Sequence, residues 1–260
     1  MSVKNLAIIQ VRTDSSRLPN KALLPISGIP IIGYMLKRLK YSKLINKIII
    51  ATTNQSSDDK LCKYISSLDI DIFRGSKEDV LNRFYNAALE YDPLTIIRLT
   101  GDCPLIDPYL VDELINFYYK NKSDYSWIHE TYAEGLDAEI FSFKTLSICN
   151  EKAKYLSERE HITQYIHNNQ EKFKRTPLIN VNDDKDIRIV VDEESDYELV
   201  SIIANHFNKS ENRMNYSFDD IKRYLYNNQK LLNINCNIER NEGLKISLSK
   251  DRIFKSKDKK

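Results

Sequence analysis

Three stretches of this sequence concentrate side chains suited to phosphate and metal chemistry. Residues 10–21 bring Arg12, Arg17 and Lys21 together with Gln10, Ser15 and Ser16 within twelve residues. A guanidinium presents a planar fork that matches phosphate oxygens, and a lysine ammonium adds a compact point charge. Hydroxyls and backbone N–H groups fill the remaining oxygens. The same composition also describes a solvated basic loop. Residues 98–107, RLTGDCPLID, place Asp102 just past an Ile-rich run. A carboxylate there is suited to Mg2+, which uses one or two carboxylates and leaves its other positions to phosphate and water. Asp107 precedes Pro108 and reads as a helix cap. Residues 190–199, VVDEESDYEL, form the third, acid-rich stretch, and some of its acids cap the helix that follows.

These residues need elements to hold them. Residues 6–11, 46–52 and 94–100 are short Ile-rich runs of strand length, as buried parallel strands tend to be. Apolar residues at helical spacing lie between them, over 31–39, 58–68 and 78–91. Alternation of strand and helix predicts a doubly wound, mostly parallel α/β sheet with right-handed crossovers. Ligands bind beyond the carboxyl ends of such strands, which is where the basic loop and Asp102 would lie. After Pro104 the pattern changes. It predicts helices over 109–119, 157–168 and 195–207, strands over 125–130 and 187–191, and an antiparallel strand within 136–143. A polar helical segment over 218–241 falls outside the sheet. The expected organisation is one α/β domain over 1–210 with an antiparallel insertion, then a helical extension and basic tail over 211–260.

Composition narrows the classes further. With 260 residues, 42% hydrophobic and 29% charged, the chain can bury a sizeable core. Four cysteines form no CxxC pair, which argues against a zinc ribbon or disulfide framework and for free thiols in a reducing cytoplasm. No apolar run approaches the ~20 residues of a membrane span. A net charge of +2 gives no nucleic-acid footprint. Residues 245–260 carry seven Lys/Arg against two Asp and read as a solvated tail. There is no GxxxxGK[ST] and no GxGxxG, so neither a P-loop nor a dinucleotide fingerprint is present.

The string VRTDSSRLPNKALLP at residues 11–25 resembles the opening ARMGSTRLPGKVLLP of the cytidylyltransferases that make CMP-sugar acids. The nearest resemblance is to their spore-coat polysaccharide branch. Asp14 and Asn20 stand where that opening has glycine, and both residue types tolerate left-handed backbone better than most. Residues 98–107 are similar to the family's R-[IL]-T-x-D-C-P-L-I-D, and 190–199 to its V-D-T-P-E-D-L-E. Residues 73–83, FRGSKEDVLNR, are similar to F-R-G-S-x-x-D-V-L-x-R, while EGLDAE at 134–139 and EREH at 158–161 match strings near the acceptor pocket. The likeness spans roughly residues 6–207. It implies a nucleotide-diphospho-sugar transferase type of fold and transfer of CMP from CTP to a sugar acid or related sugar acceptor, for surface polysaccharide.

By that resemblance Asp102 and Asp192 hold Mg2+, and Arg12, Arg17 and Lys21 hold the β- and γ-phosphates. Gln10, Ser15, Ser16 and Thr100 border the nucleotide. Arg74 and Ser76 recognise the base, with Asp79 and Arg83 supporting their loop. Glu134, Asp137, Glu139, Arg159 and His161 meet the acceptor. A sugar acid needs a cation for its carboxylate, which Arg159 or Arg188 could supply, and a phosphorylated acceptor such as a polyol phosphate is equally compatible with that charge. A homodimer is compatible with this reading. Trp127 and the 16 tyrosines read as packing residues. Two rivals stand beside it. A glycosyltransferase would carry a D-x-D pair after a central strand, whereas Asp69-Ile-Asp71 lies in a short outer segment. A binding protein would keep the fold without turnover.

Overall fold

The computed structural model describes residues 3–254 except Ser16, 210–213 and Asn241. The strands are β1 (Asn5–Gln10), β2 (Pro25–Ile26), β3 (Ile29–Pro30), β4 (Lys47–Thr53), β5 (Asp71–Gly75), β6 (Thr95–Thr100), β7 (Tyr125–Ile128), β8 (Glu139–Ser142) and β9 (Arg175–Leu178). The helices are α1 (Ile31–Leu39), α2 (Asp59–Ser66), α3 (Val80–Leu89), α4 (Pro108–Asn121), α5 (Phe143–Lys152), α6 (Leu156–Glu160), α7 (Gln164–Asn168), α8 (Glu194–Phe207), α9 (Phe218–Asn227) and α10 (Glu242–Ser249).

Seven strands form one sheet in the order β5-β4-β1-β6-β8-β7-β9, and β2 pairs with β3 in a small antiparallel hairpin. Only β8 runs against its neighbours in the large sheet; the β4–β5, β1–β4, β1–β6 and β7–β9 pairs are parallel. Because side chains alternate along a strand, each central strand feeds two cores. Ala7, Ile9, Ile50, Ile97 and Leu99 pack with α1, α2, α4, α8 and α9. Leu6, Ile8, Ile49, Ala51 and Ile96 pack on the other face with α3, α5 and α7. The α/β architecture anticipated from the Ile-rich runs is the one observed. No helix among the described residues is long and apolar enough to cross a membrane.

Three expectations need correction. Residues 187–191 are buried, yet apart from an isolated bridge of Arg188 to Glu134 they join no sheet. Their hydrogen bonds go to loops instead: Ile189 N–H to Glu134 O at 2.7 Å and Val191 N–H to Asp102 O at 2.8 Å. The helix expected over 157–168 breaks into α6 and α7 around Ile162, whose φ is 25°. The helix expected over 218–241 ends at Asn227, and its Phe218, Ile221 and Leu225 enter the main core. Arg38 secures this C-terminal region from α1. Fully buried, it donates to Ile106 O, Met214 O and Tyr216 O at 2.8–3.0 Å and stacks on the Tyr216 ring at 3.8 Å.

One buried carboxylate ties two strand ends together. Asp58, 1% exposed, accepts from Thr13 N–H (2.8 Å), Thr13 Oγ1 (2.7 Å), Thr52 Oγ1 (3.0 Å) and the Thr53 hydroxyl. It thereby fixes the loop after β1 to the end of β4. Burial alone would raise its pKa, but these donors outweigh burial and hold it below the ordinary value of 3.8. A depressed folded-state pKa gives stability that is full above 3.8 and is lost as pH falls through the lower folded value. Asp58→Asn should therefore lower unfolding free energy by about 1–3 kcal/mol near neutrality. The deficit should shrink in acid, as urea titrations at pH 7 and pH 3 would show. An equal deficit at both pH values would refute the ionised-acceptor account.

Candidate active site

A cleft of about 710 Å3 opens at the carboxyl ends of the central strands. Arg12 and Arg17 line it from the loop after β1, Thr100, Asp102 and Cys103 from the end of β6, and Trp127, Ile128 and Glu130 from the end of β7. Residues 188–192 cross its floor, and α10 adds Glu242, Leu244 and Leu248 from above.

At its base stand Lys21, Asp102 and Asp192. Lys21 Nζ lies 2.8 Å from Asp102 Oδ2 and 2.6 Å from Asp192 Oδ1. Local structure explains the convergence. Asn20 adopts left-handed backbone (φ 56°, ψ 22°) and turns the chain into the 3-10 turn Lys21–Leu23, the conformation a glycine would otherwise supply. Gly101 lets the β6 loop pass against β1, since a Cβ there would meet Val11 Cβ at 2.6 Å. The Val191 N–H to Asp102 O bond then sets Asp192 beside Asp102. Burial pushes the Lys21 pKa down, but the two carboxylates more than restore it, and the ammonium stays charged. Burial would likewise raise Asp102, and Lys21 holds it below the usual carboxylate range.

The donor chemistry of this pair fits a hard divalent cation. Two carboxylate oxygens already converge on one cationic centre, and the open cleft leaves further positions to phosphate oxygens and water. Among the described residues no cluster of three or more His, Cys, Asp or Glu forms a metal site, so the pair would share the ion with substrate.

Around the pair lies a set of cations. Arg17 reaches Asp192 at 3.0 Å, Glu242 at 3.1 Å and Glu193 at 3.7 Å. Arg12 lines the cleft and makes no ion pair among the described residues. Arg83, 3% exposed, has a buried Nε with no hydrogen-bond partner, and burial with Arg12 nearby lowers its pKa to about 10. Arg83 also donates Nη1 to Ser76 O, and the charges of Asp58 and Asp79 partly offset that of Arg12. The charge of Asp14 is directed away, into an ion pair with Lys77. Gln10 accepts from Arg98 Nε at 3.2 Å, Ser15 sits in the β1 loop, and Ser16 lies outside the described residues.

Other sequence candidates are engaged with neighbouring residues in this structure. Arg74 donates to Thr53 O, Gln55 O and Asp59, joining β5 to the end of β4. The Ser76 hydroxyl accepts from Asp79 N–H, and Ser76 O accepts from Arg83. Asp79 caps α3 through Asn82 N–H and takes Arg159 Nε and Nη2 at 2.8 and 2.7 Å. Arg159 also binds Asn150, so this buried guanidinium braces α3 against α5 and does not face the cleft. Arg188 is equally engaged, by Glu134 and by both oxygens of Asp196 at 2.8 and 2.9 Å. Both guanidiniums, the expected cations for an acceptor carboxylate, are thus paired in this structure, which compensates otherwise costly buried charge. The D-x-D segment stands apart, with Asp71 at the start of outer strand β5 and paired with Lys47.

Glu134, Asp137, Glu139 and His161 do line the cleft. Gly135 has φ 105°, and a Cβ there would strike Val190 N at 2.5 Å, so only glycine lets the 134–139 segment press against the 188–192 crossing. Burial raises the Asp137 pKa, opposed by Arg240 and Gly135 N–H. Burial lowers that of His161, whose Nε2 has no hydrogen-bond partner. Glu139 is bound by Arg98 (2.5 Å), Tyr125 Oη (2.7 Å) and Thr163 Oγ1 (2.9 Å). The sequence reading missed Arg98, Trp127, His167 and α10. Arg98 is a charge inside an otherwise apolar strand run, which is a readable signal; the others have no local signature.

The comparisons with known proteins agree with this geometry. Residues 6–185 match the model of the cytidylyltransferase family. The chain is 37% identical over 238 residues to an uncharacterised protein of Methanocaldococcus jannaschii, covering 91% of this chain and 96% of that one. It is 32% identical over 206 residues to the spore coat polysaccharide biosynthesis protein SpsF of Bacillus subtilis, covering 76% and 85%. The solved structure of a cytidylyltransferase from Leptospira borgpetersenii superposes with a TM-score of 0.82 at 33% identity, covering 89% of this chain and 97% of that one.

Lys21 and Glu242 make separable predictions. Lys21→Ala should raise the KM for CTP by the equivalent of about 1–3 kcal/mol, the range for a charge-assisted hydrogen bond. It should also tighten Mn2+ binding without nucleotide, because the two carboxylates lose their internal cation. Calorimetry and steady-state kinetics check both, and unchanged metal affinity would refute the competition. Glu242→Gln should lower the KM for CTP by removing one of the three carboxylates that hold Arg17; a raised KM would refute it.

Proposed function

We propose that this chain, which belongs to the cytidylyltransferase family and is a CTP-dependent nucleotidyltransferase, transfers CMP to a sugar acceptor and releases pyrophosphate. The observation that carries this reading is the convergence of Asp102 and Asp192 on one cation position in a cleft also lined by Arg12 and Arg17. A role in surface polysaccharide biosynthesis rests on the likeness to SpsF. Use of CTP and four free cysteines favour a cytoplasmic setting. On this reading residues 1–210 are the catalytic α/β unit, and 211–260 are an extension whose α10 covers the cleft.

An acceptor hydroxyl oxygen forms a bond to the α-phosphorus, and the bond from that phosphorus to the bridging oxygen breaks. Pyrophosphate leaves with the electron pair, and the hydroxyl proton passes to a cleft base. Asp137 suits that role, because it lines the cleft and burial raises its affinity for a proton. Arg12, Arg17 and Lys21 orient the β- and γ-phosphates and stabilise charge on the departing pyrophosphate. Asp102 and Asp192 would hold Mg2+, which when bound neutralises phosphate charge and polarises the α-phosphate. Thr100 and the floor residues 188–192 keep the two carboxylates in register.

Asp102→Asn should abolish pyrophosphate release while leaving the far-ultraviolet circular dichroism and melting transition near wild type. EDTA should silence the wild type, with Mg2+ restoring it. Full turnover in EDTA or in the variant would remove the metal assignment.

A further inference from the structure

Most arginines on the β7–β8 side of the cleft already hold a carboxylate. Arg98 pairs with Glu139 at 2.5 Å, Arg188 with Glu134 and with Asp196 at 2.8 Å, and Arg240 with Asp137 at 3.3 Å. Opening any of these pairs to seat a new anion would strand the old one without its cation. Arg175 differs. It stands on β9 opposite Tyr125 of β7, half-buried, and donates to two uncharged acceptors, His167 Nδ1 at 3.3 Å and Gln170 Oε1 at 2.7 Å. It makes no ion pair among the described residues.

A directed chain of hydrogen bonds fixes this guanidinium. Arginine only donates, so His167 Nδ1 accepts and the ring proton sits on Nε2. Nε2 then donates to Tyr125 Oη at 3.1 Å, and Tyr125 donates in turn to Glu139 at 2.7 Å. Burial lowers the His167 pKa, in keeping with the neutral ring that this chain requires. Trp127 is stacked on Tyr125 at 5.1 Å, and Arg175 Cζ lies over the indole, 5.8 Å from the ring centroid. The guanidinium is therefore oriented without being neutralised. Trp127 and His167 both line the cleft, which puts Arg175 at its edge. Its two bonds use two of the five N–H donors of a guanidinium. Glu130, exposed on the same edge, acts on His167 through its charge but pairs with no guanidinium among the described residues. One uncompensated charge in a planar fork matches a singly charged, planar carboxylate. A phosphate monoester, at about −1.5 to −2, would call for a second cation.

Resting on the CMP-transfer reading above, we infer that Arg175 is the residue that selects the acceptor, its guanidinium over Trp127 receiving the carboxylate of a sugar acid. Acceptor affinities would be measured by calorimetry and from the emission of Trp127, the only tryptophan in the chain. Mg2+ and a CTP analogue with a methylene α–β bridge are present throughout. The titrants are N-acetylneuraminate, 3-deoxy-manno-octulosonate, the methyl ester of each, and ribitol 5-phosphate. The wild type should bind the acids about tenfold or more tighter than their esters. Arg175→Ala should weaken the acids by about 10- to 100-fold and leave the esters within about twofold. Arg175→Lys should recover part of the loss, since it restores the charge but not the fork. The affinity for the CTP analogue should be the same in all three proteins. Equal losses for acids and esters, the result expected of a mere brace for Trp127, would overturn the inference. So would unchanged affinity in Arg175→Ala, a wild type that binds neither acid better than its ester, or tighter binding of ribitol 5-phosphate than of either acid. Failure of the wild type to bind the CTP analogue would instead overturn the transferase reading on which the inference rests.

Discussion

The site is organised by one ammonium group held between two carboxylates. Lys21 links the loop after β1 to the loop after β6, through Asp102, and to the segment that crosses the sheet end, through Asp192. These three loops are far apart in sequence, and repulsion between two close carboxylates would drive them apart without a cation between them. The backbone is shaped to permit this contact: left-handed Asn20, the close approach at Gly101, and the Val191 N–H to Asp102 O bond all serve it.

The surrounding charges follow the same rule. A buried ion needs a partner, and nearly every cation near the cleft has one on a different element. Arg188 joins the 134–139 segment to α8, Arg159 joins α6 to α3, and Arg98 joins β6 to β8. Arg12 and Arg83 are departures, neither having an ion pair among the described residues, and each feels the other's charge. The site thus divides by electrostatics. One end holds Arg12 and Arg17, and the other surrounds Trp127 with polar groups that include the Arg175 guanidinium 5.8 Å over its ring.

The C-terminal segment belongs to this arrangement. Glu242 of α10 bonds Arg17, and Leu244 and Leu248 roof the cleft. Its hold is on α6 and the residue before it: Ser157 N–H and Oγ bind Asp251, and Tyr155 bridges Ile253. The segment that holds the 158–161 motif therefore both reaches the cleft, through His161, and carries its roof.

The central sheet was legible because Ile-rich runs of strand length alternate with amphipathic helices, and burial on both faces leaves little other solution for such a pattern. Asp102 and the basic loop were legible because strand ends are where a doubly wound sheet puts its ligands. Sequence also showed that Asn20 is a residue type that tolerates the left-handed backbone of a glycine, and the structure places it there. What sequence could not give was pairing across distance. Arg74, Asp79, Arg159 and Arg188 have the types and spacing of ligand-binding residues, yet each is taken up by a partner brought near only by folding. Residues 187–191 have strand character, but whether they join a sheet depends on which backbone lies beside them. Trp127 resembles any packing aromatic until β7, α7 and residues 188–192 enclose one cleft around it. Composition and periodicity act locally and decide elements; charge compensation and cavity shape depend on several elements at once, and the tertiary structure alone sets them.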